Sequence, residues 1–234
     1  MFRQESSLKE IDLELIQLRK ELLLKFNKAF SAMINYVNVQ QRNVPGTLSN
    51  IHYERRSFSL ASVINKMIDT QLNQISEGDR PEIQVNRRKA MAFADEGNID
   101  HEGRYSIYGQ ILQQLKQHGP SDWSNFRKKN VDGRIYRINF KGEGSIDAGG
   151  PFRDSLSNIV AEMESGLVPL LIKSPNNRND FGSNRDCFIL DPSSKSPAHL
   201  EMFKYLGAFI GFGILSKSPI PLNLAPTVWK QILG

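Results

Sequence analysis

The sequence predicts an α+β fold that is rich in helix and has only short strands. At residues 134–140 apolar side chains alternate with polar ones, which is typical of a strand. A cluster of glycines follows this strand, and an amphipathic helix begins directly after the glycines. In most other segments, apolar residues recur at intervals of three and four, as expected for helices. Hydrophobic residues make up 39% of the 234 residues, which is enough for a core.

Apolar residues at helical spacing predict further helices at residues 7–37, 57–75, 83–93, 106–118 and 199–215. The first of these continues a coiled-coil spacing through Leu15, Leu18 and Leu22, but Lys25 interrupts it. Because the regular heptads are so few, we expect this helix to pack within its own domain and the protein to be a monomer. In the last of these helices, glycines would let another backbone segment pass close by, at Gly207, Gly211 and Gly213.

The glycine cluster at residues 142–150 predicts a sharp turn between the strand and the helix. We expect Gly149 or Gly150 to adopt a positive φ, and Pro151 to occupy the first helical position. A glycine loop before a helix can also bind phosphate. This one lacks the Gly-Lys-Ser/Thr ending of a P-loop, and Glu143 and Asp147 would repel an anion. The cluster therefore favours a structural turn over a nucleotide site.

The run Phe-Lys-Gly-Glu-Gly-Ser-Ile-Asp-Ala-Gly-Gly-Pro-Phe-Arg-Asp at residues 140–154 resembles the signature near the start of the HECT-type ubiquitin ligase domain. In that family a strand leads into Gly-Glu-x-Gly-x-Asp-x-Gly-Gly and then into a helix. Between Glu143 and Asp147 the glycine of this chain comes one residue earlier than in that pattern, and Pro151 stands where the family often has an apolar residue such as leucine. These departures indicate a divergent branch, for which the giant HECT ligases are a candidate.

Three later blocks resemble the same family. The turn Leu-Asp-Pro-Ser at residues 190–193 is similar to a leucine, asparagine, proline turn, and residues 203–211 are similar to a helix with phenylalanine and glycines four apart. Residues 220–234 are similar to the segment that follows this helix. The resemblance implies that residues 121–234 are the first part of the large N-terminal lobe of a HECT domain. Residues 1–120 would then be a helical extension upstream of it.

The resemblance implies a ubiquitin-protein transferase. Such a ligase accepts ubiquitin from a ubiquitin-conjugating enzyme as a thioester on its own cysteine, and passes it to a lysine of a protein substrate. The family's catalytic cysteine lies in a small C-terminal lobe, which would come after residue 234, so we expect this chain alone to be an inactive fragment. The alternative is a non-catalytic, truncated interaction module whose first helix or basic groups bind a protein partner.

The residues themselves offer no catalytic, cofactor-binding or metal-binding set. Cys187 has an acidic neighbour and no nearby histidine in the sequence, which is typical of a packed cysteine rather than a nucleophile. The four histidines are isolated from one another and from other ligands at metal-site spacing: His52, His101, His118 and His199. Trp123 and Phe126 are expected to be core anchors rather than a platform for stacked bases.

Composition excludes several other classes. The net charge is +5, but the cations are spread along the chain without zinc-finger or ribonucleoprotein motifs, so we expect no nucleic-acid partner. No apolar run approaches the roughly 20 residues of a membrane span. The single cysteine suits a reducing compartment, and the polar N-terminus does not resemble a signal peptide. We therefore expect a cytoplasmic location and no membrane partner.

Overall fold

The structure is a computed structural model that describes residues 12–73, 81–118, 134–143 and 150–233. The chain forms two compact units, Met1–Ile75 and Ser76–Gly234. Within the described residues no helix has both the length and the apolar composition needed to cross a membrane. The segments that contain Trp123 and Phe126 lie outside the described residues.

The first unit is helical. It contains α1 (Leu13–Met33), α2 (Leu48–Glu54) and α3 (Ala61–Asn73), with 3-10 turns at Ile34–Tyr36, Val39–Gln41 and Arg56–Phe58. Thr47 caps α2, where its side-chain oxygen accepts a hydrogen bond from the Asn50 backbone N–H at 3.1 Å. The core of this unit is small and consists of Phe30, Ile34, Val37, Val63 and Met67.

Only the second half of α1 packs within this unit. Phe30 is buried, whereas the side chains of the interrupted coiled-coil spacing are more than half exposed, at Leu15, Leu18 and Leu22. The expectation that the helix packs within its own domain is therefore confirmed for its C-terminal half alone. The predicted helix at 57–75 is shorter than expected, because residues 56–58 form a 3-10 turn and α3 begins at Ala61.

The second unit combines helices with two small sheets. Its elements in chain order are β1 (Glu82–Val85), α4 (Arg87–Asp95), α5 (Ile107–His118), β2 (Arg137–Phe140), α6 (Gly150–Glu164), β3 (Leu171–Lys173), α7 (Pro175–Asn179), β4 (Phe188–Leu190), α8 (Pro197–Leu215) and α9 (Pro226–Leu233). Strand β1 pairs in parallel with β2, and β3 pairs antiparallel with β4. The described part of the chain is thus helix-rich α+β, as predicted.

The first sheet corrects the start of one predicted helix. Residues 83–93 were expected to be helical, but Ile83 and Val85 lie in β1, opposite Ile138 and Phe140 of β2, and the helix begins only at Arg87. The side chains of Ile83 and Val85 are fully buried. A short apolar run fits a buried strand as well as a helix, and the partner strand, which lies more than 50 residues further on, decides between them.

The same pairing joins residues on both sides of position 120. Strand β1 and helix α5 precede that position, β2 follows it, and all three belong to the second compact unit. The boundary between the compact units falls at residues 75 and 76. The assignment of residues 121–234 to the start of a HECT lobe, with residues 1–120 as an extension, concerns homology and stays a prediction.

The glycines of α8 behave differently from one another. A Cβ atom at Gly207 or Gly211 would have no neighbour within 4 Å, so these two do not admit another backbone as predicted. At Gly213 a Cβ would lie 2.6 Å from Ile220 Cδ1 and 3.2 Å from the Ser218 carbonyl oxygen. Close approach is therefore confirmed at Gly213 alone, where the chain turns back after α8.

Candidate functional site

The strand and helix on either side of the glycine cluster are joined by buried contacts. Ile138 and Phe140 of β2 face the core, and α6 buries the apolar face predicted for it: Phe152, Leu156, Ile159, Val160 and Met163. The Tyr136 ring meets the Phe152 ring edge-on at a centroid distance of 5.0 Å, and its hydroxyl is 3.0 Å from Ser155 Oγ. These contacts hold the start of α6 against the segment that leads into β2.

An ion pair covers the end of β2. Arg87, the first residue of α4, donates from Nε to Glu143 Oε1 at 2.9 Å, and its guanidinium carbon lies 3.9 Å from the centroid of the Phe140 ring. The hydrogen bond from Arg87 lowers the pKa of Glu143. Glu143 thus has a partner 56 residues away in the sequence, which gives this acidic residue of the signature a structural role.

Among the described residues of the glycine cluster, Gly142 has a positive φ, with a value of 81°. The prediction named Gly149 or Gly150, and it is wrong for Gly150. Gly150 is already the first residue of α6 and does not have a positive φ, so Pro151 occupies the second helical position rather than the first. Gly149 and Asp147 lie outside the described residues.

Two buried carboxylates hold the beginning of α5. Glu162 of α6 accepts hydrogen bonds from the backbone N–H groups of Ile107 (2.7 Å) and Tyr108 (2.9 Å). Asp100 accepts from three more N–H groups, at Arg104, Tyr105 and Ser106, at 2.9 to 3.0 Å. Negative charge at a helix N-terminus is favourable, because the first amides have no partner within the helix.

Burial raises the pKa of Glu162 to about 7, against the effect of its two hydrogen bonds from backbone N–H groups. A perturbed carboxyl group can mark a catalytic acid or base. Here each carboxylate oxygen already accepts from an amide of α5, so the geometry favours a structural role. Sequence reasoning missed both carboxylates, since their partners are the backbone of another element and leave no motif.

Cys187 is in a setting that disfavours nucleophilic chemistry. The residue lies just before β4 and is only 9% exposed. Burial and the neighbouring carboxylate of Asp186 both raise the pKa of its thiol. Within the described part of the chain, no histidine hydrogen-bonds to its sulfur. The prediction that Cys187 is a packed cysteine agrees with this burial.

The histidines are less isolated in space than in sequence. His101 Nδ1 and His199 Nε2 are 3.4 Å apart, although 98 residues separate them. His52 is buried in the first unit, where its ring stacks on Phe30 at 4.1 Å and its Nε2 is 3.0 Å from Ser59 Oγ. Across the described ranges, no group of three or more histidine, cysteine or acidic side chains is arranged to hold a metal ion.

Comparison with known proteins finds ubiquitin ligases. The chain is 36% identical over 155 residues to "E3 ubiquitin-protein ligase HERC2" of Homo sapiens, a match that covers 66% of this chain and 3% of the relative. It is 30% identical over 177 residues to "Probable E3 ubiquitin-protein ligase HECTD4" of Homo sapiens, covering 74% of this chain and 4% of the relative.

A shorter match is "E3 ubiquitin-protein ligase TOM1" of Saccharomyces cerevisiae, 32% identical over 97 residues, which are 42% of this chain and 3% of the relative. No protein-family model matches the chain. The chain thus spans only about 3 to 4% of the length of these relatives. Taken with the strand, glycine turn and helix at residues 134–164, these similarities show that the chain belongs, in divergent form, to the HECT-type ubiquitin-protein ligases.

Proposed function

We propose that this protein acts in a HECT-type ubiquitin ligase that accepts ubiquitin from a conjugating enzyme as a cysteine thioester and transfers it to substrate lysines. The observation that carries the proposal is the similarity to named E3 ubiquitin-protein ligases over 66 to 74% of the chain. In this proposal, residues 121–234 supply the first part of the large N-terminal lobe. The ubiquitin-conjugating enzyme, ubiquitin and a protein substrate are its partners, and it works in the cytoplasm.

The proposal gives the described residues a scaffolding role. In the second unit, Glu162 binds backbone amides of α5, and Arg87 binds Glu143. A thioester requires an accessible thiolate, and Cys187 is buried with a raised thiol pKa. We therefore place the ubiquitin-carrying cysteine outside these 234 residues, and expect this chain alone to be inactive.

The test is a thioester assay on two proteins, the 234-residue chain and the longest product of the transcript that encodes it. Each is incubated with ubiquitin, activating enzyme, several conjugating enzymes and ATP, and non-reducing gels are compared with reducing gels. We expect a thiol-sensitive ubiquitin adduct on the longer product, lost when a cysteine beyond residue 234 is replaced by alanine. The shorter chain should form none.

Two results contradict the proposal in different ways. An adduct on the 234-residue chain that disappears in Cys187→Ala would make Cys187 the nucleophile and refute the scaffolding role. A transcript that stops at residue 234, or a longer product without any adduct, would favour the alternative of a non-catalytic interaction module. The exposed leucines of α1 are the observation that supports this alternative.

A further inference from the structure

Two histidines that are distant in the sequence meet in the second compact unit. His101 belongs to the loop between α4 and α5, and His199 lies in the first turn of α8. His101 Nδ1 and His199 Nε2 are 3.4 Å apart, and the two rings are tilted by 42°. His101 is exposed and His199 is half-buried. We call these two side chains the histidine pair.

Both histidines are attached to backbone that the fold holds in place. Asp100, which precedes His101, is 1% exposed, and its N–H donates to the Leu167 carbonyl at 2.8 Å. The carboxylate of Asp100 accepts from three backbone N–H groups of the same loop. The His199 N–H donates to the oxygen of Ser196, the N-cap of α8, at 3.1 Å. A ligand that bridges the pair therefore has little backbone to order when it binds.

The separation of the two nitrogens fits a shared metal ion better than a direct hydrogen bond. Hydrogen bonds from protein N–H groups usually have lengths of about 2.7 to 3.2 Å, so 3.4 Å is long for one. A tetrahedral Zn²⁺ ion lies about 2.0 to 2.1 Å from each imidazole nitrogen, which places two such nitrogens about 3.3 to 3.4 Å apart. Imidazole is also a ligand type that suits Zn²⁺.

The surroundings of the pair indicate which atoms would coordinate the ion. His199 Nδ1 is buried and has no hydrogen-bond partner among the described residues, which leaves Nε2 to face an ion beside His101. The neighbouring carboxylates have other partners, since Asp100 accepts backbone amides and Glu102 lies 3.7 Å from Arg104 Nη2. The site therefore has two protein ligands, consistent with the absence of any group of three within the described ranges.

We propose that the histidine pair binds one Zn²⁺ ion through His101 Nδ1 and His199 Nε2, with water in the remaining positions. Coordination needs a lone pair on each of these nitrogens, so both rings are neutral, with the proton of His101 on Nε2 and that of His199 on Nδ1. The ion ties the loop before α5 to the first turn of α8. It thereby stabilises the second unit, because the unfolded chain does not hold the two histidines together. This inference goes beyond the proposed ligase function and does not depend on it.

The experiment is isothermal titration calorimetry of zinc chloride into the 234-residue chain without an affinity tag. One ion should bind per chain. His101→Ala and His199→Ala should each weaken binding about tenfold or more. The control His52→Gln alters a histidine of the first unit, whose Nε2 is 3.0 Å from Ser59 Oγ, and should bind within about twofold of the unaltered chain. Magnesium chloride should give no saturable binding, because Mg²⁺ prefers oxygen ligands.

A second measurement identifies the coordinating atoms. In proton–nitrogen correlation spectra of the imidazole rings, Zn²⁺ should shift the resonances of His101 Nδ1 and His199 Nε2 and leave those of His52 in place. Zn²⁺ should also raise the urea concentration at which the second unit unfolds, and this increase should be lost in His101→Ala. His101 is exposed, so the unliganded variant is expected to fold, which circular dichroism checks.

Three results overturn the proposal. One is a dissociation constant for Zn²⁺ weaker than about 1 mM. Another is binding that persists unchanged in the double variant His101→Ala/His199→Ala, which would place the ion at other residues. The third is saturable Zn²⁺ binding that shifts neither His101 Nδ1 nor His199 Nε2.

Discussion

The two compact units bury their apolar residues to different extents. In residues 81–233 a continuous core runs from β1 and β2 through α5, α6 and α8 to α9, and its largest side chains, such as Tyr136 and Phe209, are fully buried. In residues 12–73 the core has five members, and the leucines of the first half of α1 are exposed. The first unit therefore depends more on individual polar contacts, and the second on packing between elements distant in the sequence.

The largest expected effect tests the packing of the second unit. A Cβ atom at Gly109 of α5 would lie 2.4 Å from the Gly103 carbonyl carbon and 2.6 Å from the Arg104 nitrogen. Because these are backbone atoms, Gly109→Ala should lower the free energy of unfolding by about 4 kcal/mol or more. Urea titration followed by tryptophan fluorescence measures this, since both tryptophans, Trp123 and Trp229, lie in the second unit.

The control for this substitution is Gly207→Ala. Position 207 lies inside α8, and a methyl group added there would have no atom within 4 Å, so alanine should stabilise the helix by about 0.5 to 1 kcal/mol. Equal effects of the two substitutions would show that the backbone around Gly109 is not crowded.

The free energy of unfolding of the second unit is also expected to depend on pH, because of Glu162. Its pKa rises from 4.5 to about 7 on folding, so between these values the folded protein binds more protons than the unfolded one. Stability contributed by this group is therefore fully present below pH 4.5 and falls by about 3 kcal/mol as the pH rises to about 7. Urea unfolding at several pH values should show this slope, and Glu162→Gln should remove it.

The matched control is Glu102→Gln, which alters a carboxylate whose side chain is 63% exposed and should leave the slope intact. A slope of the same size in Glu162→Gln would show that other groups cause it.

A smaller loss of stability is expected when a buried polar side chain of the first unit, Asn27, is replaced. Asn27 is only 3% exposed; its Nδ2 donates to the Phe58 carbonyl at 2.8 Å, and its Oδ1 accepts from the Leu60 N–H at 2.8 Å. Asn27→Ala leaves both backbone groups without this partner, and should destabilise the unit by about 2 kcal/mol. Faster hydrogen exchange in peptides from residues 12–73 measures it.

Lys28→Ala, at the next and exposed position, is the control and should leave exchange nearly unchanged. If Asn27→Ala instead accelerated exchange equally in peptides from residues 81–233, the two units would not behave as separate compact bodies.

The smallest expected effect concerns association. We predict that the chain is mainly monomeric, because Lys25 interrupts the seam of Leu15, Leu18 and Leu22 and too few heptads remain for a stable coiled coil. Light scattering over a concentration series should therefore give one mass. A dimer that dissociates in Leu15→Glu/Leu18→Glu would show that the exposed leucines of α1 are a self-association surface.

The local patterns of the sequence were sufficient for much of the second unit. Periodicity predicted the apolar face of α6 and the helix at Ile107–His118, and the neighbouring residues predicted the burial of Cys187. Each of these signals comes from residues close together in the sequence. The resemblance to HECT ligases could also be read from residues 140–154 because a strand, a glycine turn and a helix occur there in a fixed order.

Other features depend on partners that lie far away in the chain, and only the tertiary structure decided them. Residues 83–85 are a strand because β2, which lies more than 50 residues further along the chain, supplies its hydrogen bonds. The same holds for Arg87 with Glu143, and for Glu162 with the backbone N–H groups at the beginning of α5. Periodicity reports which face of an element is apolar, but a specific contact between side chains depends on how the elements are arranged in space.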